Sequence, residues 1–190
     1  MQSSGLARSL RDHFTRRFDQ SCRDREPEAR ECWIDTTRWS NFMLHADGGV
    51  MCAAASDWAE DNIGSGKYAV KREWRKFDLM VVSPAIGPAG DWWRSTPRLT
   101  LEHENDDDTH VEVWNLACWQ SPLKVVISYH RDQAVLERKL RMAADVLTSH
   151  AAEVGPSSAE FLFMSAPRTF GSGPRWSCFE WASAAWRDIS

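Results

Sequence analysis

A chain of 190 residues, 43% hydrophobic and 26% charged, has room for one substantial core and is short for two. No stretch reaches the roughly 20 apolar residues of a membrane span, and the opening segment carries six charges and no apolar run, unlike a secretory signal. A cytoplasmic protein without membrane partners is therefore expected, and a formal net charge of −4 argues against coating nucleic acid by bulk attraction.

Leu6, Leu10, Phe14 and Phe18 recur every fourth residue and predict an amphipathic first helix with arginines on its outer side. The polar stretch from Cys22 to Arg30, containing Pro27, reads as a loop. Between Cys32 and Ala59 the apolar residues predict a helix and then, after Asp47-Gly48-Gly49, a short strand or second helix. Tyr68 to Val82 alternates and then becomes continuously apolar from Phe77 except at Asp78, as a long strand entering the core does. The Pro- and Gly-rich Ser83 to Pro97 reads as the loop of a hairpin pair, with Arg98 to Asn105 the partner strand. Asp106 to Asp108 reads as a turn, and Asp108 or Thr109 as the cap of a helix from Thr109 to Trp119.

After Ser121-Pro122, Leu123 to Tyr129 is β-branched and apolar on both faces, the pattern of a covered central strand. Arg131 to Ala152 reads as a long helix with Val135, Leu136, Leu140, Ala143 and Leu147 inside, stopped by Gly155-Pro156. Glu160 to Ser165 and Trp176 to Trp181 complete the strands. The expected class is α/β, a mixed central sheet flanked by helices.

The charges are unevenly placed. Arg8, Arg11, Arg16, Arg17, Arg23 and Arg25 crowd the first segment; Lys67, Lys71, Arg72, Arg75 and Lys76 crowd a second; the acidic residues peak at Glu102, Glu104 and Asp106 to Asp108. The five cysteines stand singly with no CxxC pair, so neither a disulfide framework nor a cysteine zinc site is expected. No GxSxG, GxGxxG or GxxxxGK[ST] loop is present.

Alternation along a strand puts Glu102 and Glu104 on one face, about 7 Å apart at 3.3 Å per residue. Asp78 is a single charge in an apolar run. Carboxylates converging from adjacent strands repel unless a cation offsets them, and hard oxygen donors suit Mg²⁺ or Mn²⁺ better than zinc.

Lys76-Phe77-Asp78-Leu79, then Leu99-Thr100-Leu101-Glu102-His103-Glu104-Asn105, then the helix with Glu112 and Leu116, then Pro122-Leu123-Lys124-Val125-Val126-Ile127 resemble the PD-(D/E)XK nuclease superfamily. The resemblance implies an αβββαβ restriction-endonuclease-like core, with C-terminal strands added, in a single nuclease-like domain over 1–190. Within it, 1–30 is the arginine-rich helix and loop, and 68–152 carries the acidic motif. It implies a metal-dependent nuclease that hydrolyses phosphodiester bonds of DNA or RNA. Asp78, Glu102 and Glu104 would hold Mg²⁺ or Mn²⁺, nucleic acid would be the partner, and a homodimer is an assembly many nucleases of this size adopt. Phe77 stands where the motif has proline, and Glu104 where it has a lysine; Lys76 or Lys124 is the candidate for the missing ammonium. The alternative is a catalytically inactive nuclease-like fold that binds protein or nucleic acid. The plainer readings are Glu102 and Glu104 as solvent-facing edge residues, Asp78 in a structural ion pair, and His103 and His110 as surface or capping groups.

Overall fold

The computed structural model describes residues 5–33, 35–45, 47–74, 76–83, 95–105, 108–169 and 175–190, with Trp74 described by its backbone alone. The architecture is mixed α/β: strands follow chain order along a mixed sheet, and helices pack on it. The chain divides into two compact units, Met1–Thr100 and Leu101–Ser190.

The N-terminal unit begins with four helices, α1 (Leu6–Asp24), α2 (Glu26–Trp33), α3 (Thr36–Leu44) and α4 (Val50–Asn62). The expected apolar stripe of α1 is buried, with Leu10, Phe14 and Phe18 inward. Phe18 meets Trp39 edge-on, and Trp39 packs in turn on Trp33 and Phe42. Trp58 of α4 is buried and donates its indole N–H to the Leu6 carbonyl at 3.2 Å, tying the start of α1 to α4.

The polar stretch from Cys22 to Arg30 is helical, not a loop. Pro27 falls in the first turn of α2, where its missing N–H has no intrahelical partner to lose. Glu26 and Glu28 favour that turn electrostatically, and Glu26 accepts from Arg30 one turn on. Residues 50–62 take the helical alternative. Gly49 supplies the entry to α4, since a Cβ there would strike the His45 backbone.

The long strand expected over Tyr68 to Val82 is an antiparallel hairpin, β1 (Ala69–Trp74) and β2 (Phe77–Ser83), with Val70 opposite Val81 and Trp74 opposite Phe77. Left-handed backbone occurs at Lys76 in the turn (φ 73°) and at Glu73 near the end of β1 (φ 45°), with no glycine or proline to announce the reversal. β2 is covered on both faces, as its composition predicts: Phe77, Leu79, Met80, Val81 and Val82 are all buried. The expected loop from Ser83 to Pro97 lies outside the described residues from 84 to 94, and Thr96 and Pro97 already belong to β3 (Thr96–His103).

The C-terminal unit takes the end of β3 and continues through α5 (Thr109–Ala117), β4 (Leu123–His130), α6 (Gln133–Val154), β5 (Glu160–Pro167), β6 (Ser177–Ala182) and β7 (Ala185–Asp188). Every residue of β4 is buried, and β4 pairs in parallel with β5, Leu123 opposite Glu160 through His130 opposite Pro167. β5, β6 and β7 then pair antiparallel. The last strand escapes the sequence pattern because it is four residues long and follows a two-residue Ser183-Ala184 turn, both with positive φ, where glycine or asparagine is the usual signal. α6 starts at an Asp132 cap, whose carboxylate accepts from the Val135 N–H at 2.9 Å, and ends at Gly155 (φ 92°). Asp108 precedes α5 but makes no side-chain cap; Thr109 spends its hydroxyl on Ser128 instead. Of the acidic turn expected at 106–108, Asp106 and Asp107 lie outside the described residues.

Candidate functional site

The residues singled out by sequence are divided between the units. Asp78 sits half-buried on β2 in the N-terminal unit. Lys76 is not on the strand with it but in the exposed β1–β2 turn. Glu102 and Glu104 belong to the C-terminal unit, Glu102 within β3 and Glu104 at its exit.

Glu102 is 5% exposed, so it is not a solvent-facing edge residue. Its face of the sheet follows from its neighbour. His103 Nε2 and the Tyr129 hydroxyl are hydrogen-bonded at 2.7 Å, with their rings edge-on at 5.5 Å, so His103 shares the face of β4 that Tyr129 occupies. Alternation then puts Glu102 and Glu104 on the opposite face, the one carrying Lys124, Val126, Ser128 and His130. The Glu104 N–H donates to the Ile127 carbonyl at 2.8 Å, which extends the pairing one residue past β3 and fixes the backbone that presents the second carboxylate.

Helices α5 and α6 cover this face. Ser128, fully buried, shares a hydrogen bond with Thr109 of α5 at 3.0 Å and accepts one from Lys139 of α6 at 2.9 Å. Lys139 also donates to the Tyr129 carbonyl at 2.9 Å. His130 and Ser165 are bonded across β4 and β5 at 2.8 Å. Burial holds the His130 imidazole below its ordinary pKa, and the Lys139 charge adds to that effect. His103 is a core group and not the surface or capping residue expected; burial brings it down to about 4, so it is neutral at pH 7.

Lys124 is buried as well, but its ammonium is turned to the carbonyl end of α5. It donates to the Ala117 carbonyl at 3.1 Å and lies 5.0 Å from the centre of the Phe161 ring. Burial pushes its pKa down to about 8, against a small opposing pull from Cys118.

The N-terminal arginines are partly committed to the protein itself. Arg17 makes a two-pronged pair with Asp57 at 2.6 and 2.7 Å, and Arg11 binds Asp12 next to it. Arg25 lies 4.5 Å over the Phe42 ring. The five cysteines are free thiols, with burial raising Cys22 and Cys52 to about 11.

Mg²⁺ takes one or two protein carboxylates and completes its shell with water and substrate oxygens. Glu102 and Glu104, hard donors on one sheet face, fit that demand. Among the described residues no three His, Cys, Asp or Glu side chains gather into a group able to hold a metal. No described helix is long and apolar enough to cross a membrane. No family model matches the chain, and no curated protein matches it. Lys139 was not foreseen from sequence, where it is one cation among several on a polar helix; only its burial distinguishes it.

Proposed function

We propose that the chain is a metal-dependent nuclease that hydrolyses phosphodiester bonds in DNA or RNA, using Mg²⁺ or Mn²⁺. The observation that carries this reading is the buried carboxylate of Glu102, with Glu104 next along the same face. Two carboxylates spaced two residues apart on one strand face offer the hard oxygen donors that Mg²⁺ or Mn²⁺ prefers. The order α4, β1, β2, β3, α5, β4 also supports the αβββαβ core that the resemblance implies.

Glu102 and Glu104 act as oxygen ligands, and Asp78 is the ligand that the resemblance adds to them. The bound ion would polarise the scissile phosphate and lower the pKa of the attacking water. Glu104, at the strand exit and half-buried, stands closer to solvent, where a phosphate backbone arrives. The test is cleavage of labelled single- and double-stranded DNA and RNA with Mg²⁺ or Mn²⁺, for the parent chain, Glu102→Gln and Asp78→Ala. Loss of cutting in both variants is expected; cutting by Asp78→Ala at the parent rate removes the reading.

The second reading, a nuclease-like fold that binds without cutting, rests on Glu104 at the position where the family pattern has lysine. It expects partner binding to survive in the Glu102→Gln/Glu104→Gln double variant.

A further inference from the structure

Lys139 is a buried charge of the C-terminal unit that the sequence did not single out. It lies in the second turn of α6 and is 2% exposed, whereas its neighbours Glu137, Arg138 and Arg141 are exposed. Its Nζ reaches Ser128 Oγ and the Tyr129 carbonyl, both at 2.9 Å, on the sheet face that carries Glu102 and Glu104. Burying an ammonium costs several kcal/mol unless charge or hydrogen bonds compensate it.

Position along the strand places Lys139 nearer than Lys124 to Glu104. The Glu104 N–H bonds the Ile127 carbonyl, so Glu104 stands one strand spacing, about 4.8 Å, from the Ile127–Ser128 segment that Lys139 grips. Lys124, the second residue of the same strand, lies four residues before Ser128, about 13 Å along it at 3.3 Å per residue, and its Nζ is directed to the Ala117 carbonyl at the end of α5. Lys76 is in an exposed turn of the other unit.

We propose that Lys139 supplies, from α6, the ammonium that the family pattern would have placed at position 104, as a positioning residue that offsets the charge of Glu102 and Glu104. This rests on the nuclease reading. Among the described residues, the charged and titratable groups on the strands of this face are Glu102 and Glu104 from β3 and Lys124 and His130 from β4, with Lys139 reaching in from α6; Asp132, at the start of α6, is turned to its own helix. Ser128, held by Thr109 on its other side, fixes where the ammonium sits.

The test compares Lys139→Met, Lys139→Arg and Ser128→Ala, each checked for folding by thermal melting, with Mg²⁺ affinity read by calorimetry alongside cleavage. Lys139→Met is expected to cut about a hundredfold more slowly while binding Mg²⁺ about tenfold more tightly, because a cation that repelled the metal has gone. A purely structural lysine would not produce that opposite movement. Lys139→Arg should retain most of the cutting. A folded Lys139→Met that cuts and binds Mg²⁺ like the parent overturns the assignment and leaves the nuclease reading standing. A parent chain that neither binds Mg²⁺ nor cuts overturns both. If Lys139→Met does not fold, Ser128→Ala decides: about a tenfold loss of cutting supports the role, and unchanged cutting with unchanged Mg²⁺ affinity overturns it.

Discussion

Arg17 and Asp57 meet at a half-exposed contact between helices, whereas Lys139 meets Ser128 in the interior. That contrast runs through the two units. Ten of the twelve buried polar or charged side chains among the described residues belong to 101–190. The N-terminal unit buries only His13 and Thr100 of this kind; its interior is aromatic and aliphatic, and its ion pairs stay near water. A core of that type needs no function to explain it. The C-terminal unit encloses Glu102, His103, Lys124, His130, Lys139 and Glu180, a composition that stability alone disfavours. The lesson is that chemistry should be sought where the fold tolerates buried charge, not where surface charge is densest.

The sharpest way to break this comparison is to exchange the expected consequences. Trp58→Ala, in the N-terminal core, should cost about 3–5 kcal/mol in urea unfolding, the cavity penalty for a fully buried tryptophan. Glu102→Gln, nearly isosteric, should instead leave folding within about 1 kcal/mol and reduce cleavage about a hundredfold or more. If both variants changed stability alone, the C-terminal unit would be no different in kind.

A pH series sharpens the comparison at intermediate size. His103 has a folded pKa near 4 against 6.5 unfolded, so between these values the unfolded chain binds a proton that the folded chain refuses. Stability from this group is therefore full above about pH 6.5 and is lost as pH falls toward 4, with about 2 kcal/mol gone by pH 5. His103→Gln should flatten that part of the melting-temperature profile. The smallest effect belongs to the N-terminal pair: Asp57→Asn should cost about 1 kcal/mol or less, since Arg17 is more than a third exposed, and should leave Mg²⁺ affinity unchanged.

The legible parts of the molecule were those set by local pattern. The four-residue apolar spacing of α1, the β-branched run of β4, the inner stripe of α6 and the apolar run of β2 were readable because periodicity reports which side of an element leaves water. The alternation at Glu102 and Glu104 was readable for the same reason. The β1–β2 turn was not, because its left-handed residue is Lys76, and the left-handed Glu73 before it sits within β1. Nor was the helix beginning at Glu26, where Pro27 looks like a breaker unless its place in the first turn is known.

By itself the sequence determined the mixed α/β class, the covered central strand and the presence of two carboxylates on one face of β3. Only the tertiary structure decided that Glu102 is buried, that His103 is a neutral core group, that Lys124 is turned to the Ala117 carbonyl, and that Lys139 is drawn inside from α6. Periodicity fixes the direction of a side chain relative to its own backbone. What that side chain meets depends on strand register and on which helix covers the face, and those are settled by contacts between residues distant in the chain.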